Sequence, residues 1–191
     1  VHTVLAAGGV AAPIPADLPA EGAAELLSSC DARMLIATHD LADAAVAAAD
    51  FSRVRQVITF GQAPAASDFR DLLTLEPTAL PALDPVRQDA LVLAGGERVT
   101  HTGLLARMAV LDERVRLTES DVVLATWAPD GGCDLVALIA LAIARGALLV
   151  AANGLPAADL PGTRHDFGVT VLTAEPGTLE RITPTHTPSP A

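Results

Sequence analysis

At 191 residues the chain is long enough for one substantial domain or two small lobes sharing a sheet. Its 51% hydrophobic content excludes global disorder, while 3% aromatics and no Tyr leave Ala, Val and Leu to fill the core. Twelve basic against 23 acidic residues give a net charge of −11 without a basic patch, which makes nucleic acid and anionic membranes poor partners. Every basic residue is Arg, so neither a Schiff base nor a phosphate-loop lysine can come from this chain.

In chain order, VHTVLAAGG reads as the end of a helix stopped by Gly8-Gly9, followed by a short extended VAAPIP. Residues 20–30 read as helix and 33–38 (RMLIAT) as a buried strand. Residues 39–50 are a second helix, and 54–60 a second strand closed by Gly61. Residues 67–73 are a short helix with Ser67 or Asp68 as its cap. Pro77, Pro81 and Pro85 mark a linker. ALVLA (90–94) is a strand, and 101–116 a helix with Leu104, Leu105, Met108, Leu111 and Val115 at helical spacing. Residues 121–126 are a strand, 133–145 a nearly all-apolar buried helix, 147–152 a strand and 168–174 the last strand. A helical turn is expected over 177–182.

This alternation predicts an α/β fold with a mainly parallel sheet flanked by helices. Two halves are expected within 1–182, roughly 1–74 and 89–182, joined by the Pro-rich segment 75–88. A disordered tail follows at 183–191. Cys30 and Cys133 lie far apart and suit free thiols of a cytoplasmic protein. The run 134–152 is broken by Arg145 and Gly146 and does not read as a membrane span. The chain opens on Val1 in helical character, so an upstream piece is expected.

VHTVLAAGGVAAPIP through RMLIAT, then RVRQVITFG, THTGLLARM, ESDVVLATWAPDGGCDLVALIALAIARGALLV and TVLTAEPGTLERI form an ordered series. Together they resemble the AMP-forming acyl-CoA synthetases and ligases, the adenylate-forming group with 4-coumarate–CoA ligase-like and fatty-acyl–CoA ligase-like members. The resemblance implies a subdomain of that family's large N-terminal domain. It also implies a chemistry of ATP, magnesium and CoA, in which a carboxylate is adenylated and then captured by a thiol.

One place departs from the pattern. The family carries a Ser/Thr/Gly-rich phosphate loop with a lysine between a strand like ALVLA and the helix opening on Thr-His. Here only GGERV separates strand from helix. The remnant would be Gly95, Gly96, Thr100, His101 and Thr102, and Glu97 sets a carboxylate where triphosphate oxygens would lie. A shortened strand-to-helix turn is the leading reading. Residual anion binding by the amides after Thr100 is the other, and Thr100 itself suits a helix cap.

In the family's aromatic-histidine block near the acyl pocket, this chain has WAPDGGCD. Trp127, Gly131 and Gly132 would then be an acyl-pocket remnant, with Gly131 where the histidine falls; the leading reading of the Trp127 indole itself is packing against the core. Cys133 at a helix start paired with His101 is a weaker thought. The histidines show no metal-ligand spacing; one reading gathers His165-Asp166 with Asp159 in a loop, and the simpler one leaves them as solvated polar residues.

The expectation is a degenerate acyl-CoA synthetase-like domain, a non-catalytic binding or assembly module with no catalytic residues, no metal and no cofactor of its own. It would form a homo-oligomer or bind a partner protein, with a small acyl ligand as a further candidate. The alternative is a part or subunit of an active AMP-forming carboxylic acid–CoA ligase acting on a fatty or aryl acid.

Overall fold

The computed structural model describes residues 1–76, 79–80, 82, 88–93, 95–125, 133–152, 155–175 and 178–182. The chain forms two compact units, Val1–Thr100 and His101–Ala191. The expected seam at 75–88 lies mostly outside the described residues, as does the tail at 183–191.

In the first unit, α1 (His2–Ala6) ends at the glycine pair as its sequence requires. Gly8 takes φ +78, and the amides of Gly8 and Gly9 donate to Leu5 and Val4 carbonyls at 3.0 and 2.9 Å, closing the helix in a Schellman-type turn. A Cβ on Gly9 would lie 2.9 Å from Val4 Cγ1, so the turn also needs the missing side chain.

The extended segment that follows uses Ala11 to bridge β4 (Asp89–Val92) in parallel at Leu91. The amide of Ala11 donates to Ala90 O at 2.9 Å, and that of Val92 donates to Ala11 O at 3.0 Å.

A three-stranded parallel sheet runs in the order β1 (Met34–Thr38), β2 (Gln56–Phe60), β3 (Ser67–Asp68). Helix α3 (Ala42–Asp50), entered through a 3₁₀ turn at His39–Leu41, packs on β1 and β2, and α2 (Ala20–Ser29) packs on α3. Ala23, Ala24, Leu27 and Ala48 form the core there, ringed by Ile14, Leu18, Ala32, Leu35 and Val54. With so many Ala, closeness of approach replaces side-chain bulk.

Two expectations change here. Strand β1 is not buried: Met34 is 50% and Ile36 40% exposed, because β1 is the outer strand and only β2 is covered on both sides. Ser67 and Asp68 are not helical but pair with Ile58 and Thr59. Helix α4 is only Phe69–Leu72, and its cap is Asp68, whose carboxylate accepts the Arg70 amide at 2.9 Å.

In the second unit, a four-stranded sheet runs β7 (Leu148–Ala151), β6 (Val122–Ala125), β8 (Val171–Glu175), β9 (Thr178–Arg181). The first three are parallel, and β9 is antiparallel to β8. Helices α5 (His101–Val115) and α6 (Cys133–Arg145) pack on each other. Arg107 pairs with Asp134 at 3.0 Å, and Arg145 pairs with Asp112. Since 107 meets 134 and 112 meets 145, the two helices run in the same direction.

Helix α6 buries Leu135, Val136, Ala137, Leu138, Leu141 and Ala142. On α5, Leu104, Leu111 and Val115 are buried, but Leu105 is 57% exposed, so the apolar stripe is narrower than its spacing suggests.

Two more expectations fail. Residues 178–181 are the strand β9, not a helical turn, because pairing with β8 satisfies a backbone that so short a helix would leave open. His165 and Asp166 are not in a loop but close α7 (Leu160–Asp166), with Asp159 at its N-cap and Pro161 in its first turn, where proline costs no hydrogen bond. Among the described residues, no helix is long and apolar enough to cross a membrane.

Candidate functional site

The stretch from β4 to α5 holds the expected phosphate-loop remnant, and it is built as a hairpin. Strand β5 (Arg98–Thr100) pairs antiparallel with β4, Asp89 facing Thr100, Leu91 facing Val99 and Val92 facing Arg98, with an irregularity between Asp89 and Leu91. The turn closes on itself: Leu93 N–H donates to Glu97 O at 2.9 Å, and Gly96 N–H donates to Leu93 O at 2.8 Å. Gly96 takes φ +79, a conformation glycine adopts freely.

Gly95 and Gly96 are exposed, as is Glu97. Arg98 Nη1 lies 2.7 Å from Asp89 Oδ2, so the basic side chain nearest the turn is already matched by a carboxylate. The expected direct strand-to-helix turn is therefore corrected: the residues after the glycine pair return as a strand, since Val99 buries against Leu91 once paired.

Thr100 ends β5 and is half-buried. His101 opens α5 and is also half-buried, while Thr102 in its first turn is exposed. Trp127, Gly131 and Gly132, the expected acyl-pocket remnant, lie outside the described residues. Cys133 begins α6 and is buried. Among the described residues, no three His, Cys, Asp or Glu side chains gather to hold a metal ion.

The strongest polar constellation lies elsewhere in the second unit. Asp121, 4% exposed at the mouth of β6, accepts from Thr118 N at 2.8 Å, Thr118 Oγ1 at 2.9 Å, Thr170 Oγ1 at 2.7 Å and Arg181 Nη1 at 2.8 Å. Arg181 also donates to the carbonyls of Val115 and Arg116, tying β9 to the end of α5. Burial pushes the Asp121 carboxyl up, but the bonds from Arg181, Thr170 and Thr118 outweigh it and hold the group well below the usual carboxylate range.

All of its acceptor positions are occupied by the fold, so this is a structural clasp with no oxygen left for a substrate. No local motif in the sequence marks it, because Asp121 and Arg181 stand 60 residues apart. The one local sign is a carboxylate directly ahead of the apolar VVLA.

The first unit also holds an apolar cleft that composition concealed. It is lined by Ile14, Pro15 and Leu18, by Ala23 of α2, by Leu35 and Ile36 of β1, and by alanines of α3. Small residues leave the space, and its walls offer little to orient a polar ligand.

No protein-family model matches the sequence, and no curated protein matches it either. Solved structures do match in shape. A long-chain-fatty-acid-CoA ligase from Archaeoglobus fulgidus superposes with a TM-score of 0.77 at 15% identity, covering 90% of this chain and 36% of that one. A protein designated a long-chain-fatty-acid CoA ligase from Rhodopseudomonas palustris gives 0.76 at 23% identity, over 88% of this chain and 44% of that one. A benzoate CoA ligase from Burkholderia xenovorans gives 0.67 at 22% identity, over 84% and 33%.

At such identities the likeness is one of fold. The α/β architecture, with its parallel strands flanked by helices, is shared with part of these CoA ligase chains. The chain spans less than half the length of these neighbours.

Proposed function

We propose that this chain is a ligase-derived scaffold that does not itself adenylate an acid, and that it serves as a binding or assembly module. The observation that carries this reading is the hairpin over 89–100. A phosphate cradle needs backbone amides turned outward around an anion, aided by hydroxyls or a cation. Here the Leu93 and Gly96 amides are spent inside the turn, Glu97 opposes an anion, and Arg98 is matched by Asp89. On this reading the chain binds no ATP, magnesium or CoA of its own, acts through a partner or a second copy, and works in the cytoplasm.

The test is ATP–pyrophosphate exchange with a panel of fatty and aryl acids, paired with calorimetric titration of ATP. The reading expects no exchange and no saturable heat. Exchange by the chain alone would overturn it.

A second reading is favoured by one observation, the chain's coverage of at most 44% of the neighbours named above. On it, the chain is part or subunit of an active AMP-forming carboxylic acid–CoA ligase whose phosphate-binding groups come from elsewhere. Exchange that appears only when proteins encoded beside this one are added would support that alternative.

A further inference from the structure

The sheet of the first unit ends on β1, and among the described residues no strand pairs with its outer edge. Natural edges are usually guarded by charge, proline or a bulge; Met34–Thr38 has neither charge nor proline. Met34 and Ile36 are exposed on one face and alternate with half-buried Leu35 and Ala37 on the other. The apolar cleft includes Leu35, Ile36 and Ala37 in its wall, so the edge is apolar on both sides.

We propose that this edge is a self-association surface: β1 of a second copy of this chain adds antiparallel about Ile36, merging two three-stranded sheets into one of six strands. The charges at the strand's two ends select this arrangement. Arg33 precedes β1, and Asp40 stands in the turn that closes it, both exposed. With Ile36 on a two-fold axis, Met34 lies opposite Thr38 and Leu35 opposite Ala37, and Arg33 of each copy reaches the end where the other's Asp40 stands. A parallel pairing would instead set Arg33 beside Arg33 and Asp40 beside Asp40.

Arg33 already meets Asp31 at 2.8 Å, and its five donors allow a second carboxylate. An edge of this length buries less than the roughly 1,600 Å² of a standard interface, so the dimer is concentration-dependent. The inference deepens the assembly role proposed above and rests on it; nucleotide exchange tests the loss of adenylation separately, so either idea can fail alone.

Analytical ultracentrifugation across micromolar to millimolar concentrations tests it. The wild-type chain is expected to show a reversible monomer–dimer equilibrium, and Ile36→Lys, which puts two ammonium groups face to face on the axis, to be monomeric. Arg33→Glu and Asp40→Arg, both at exposed positions, each weaken the dimer about fivefold, and the double variant restores it, because the swap recreates both pairs. Circular dichroism checks that each variant is folded. A wild-type monomer throughout overturns the proposal, as does a dimer indifferent to Ile36→Lys or a double variant no tighter than the singles.

Discussion

Arg181 of β9 and Asp121 ahead of β6 form a two-pronged ion pair, Nη1 to Oδ1 at 2.8 Å and Nη2 to Oδ2 at 3.2 Å. It binds the last described strand to the centre of its sheet and, through the Val115 carbonyl, to the end of α5. The carboxylate is almost wholly buried while the arginine side chain is 47% exposed. Removing the arginine therefore leaves an uncompensated charge inside. Arg181→Met is expected to lower unfolding free energy by about 2 kcal/mol, less than a fully buried pair would cost. Urea unfolding read by circular dichroism measures it, and a loss below about 0.5 kcal/mol would mean that the pair is no clasp.

The same carboxylate sets an acid limb on stability. Its folded-state value is depressed, burial being outweighed by Arg181, Thr170 and Thr118. Its contribution is thus complete above the unfolded value near 4 and is lost as pH falls below that toward the folded value. Asp31, exposed and held by Arg53, and Asp68, buried and held by Arg70, are lowered as well. Asp121→Asn should flatten the fall in urea midpoint below about pH 4 while lowering the midpoint at neutral pH. An unchanged acid slope in the variant would contradict the assignment.

The turn of the β4–β5 hairpin separates its two glycines. Neither would bring a Cβ within 4 Å of another group, but only Gly96 has positive φ. Gly96→Ala is expected to cost about 1 kcal/mol in backbone strain, and Gly95→Ala well under half of that. Thermal unfolding of the two variants checks the order. Equal losses would mean that the turn is not closed as described.

Helix α6 offers a contrast inside one apolar run. Leu138 is 1% and Ile143 64% exposed. Leu138→Ala should cost about 3 kcal/mol, from lost burial and the cavity left behind, while Ile143→Ala should fall within about 0.5 kcal/mol of wild type. Chemical denaturation of both decides it.

Much of the site was legible for chemical reasons that need no partner. The lack of Lys and the shortness of GGERV could be seen in the chain itself. That the residues after the glycines turn back as a strand could not, because Arg98–Thr100 is only three residues long and is held as a strand by Asp89–Val92 beside it.

The sequence by itself determined the alternation of strands and helices, through hydrophobic period and through residues that act locally. The Gly8-Gly9 stop, the cap at Asp68 and the apolar helix Cys133–Arg145 are set by neighbours a few positions away. Tertiary structure alone decided which edges stayed open and which distant charges met. Met34 and Ile36 are exposed because β1 is outermost, and TLER is a strand because β8 offers its backbone and Asp121 holds Arg181. Strand pairing and buried ion pairs draw their energy from groups far apart in sequence, so no local pattern can announce them.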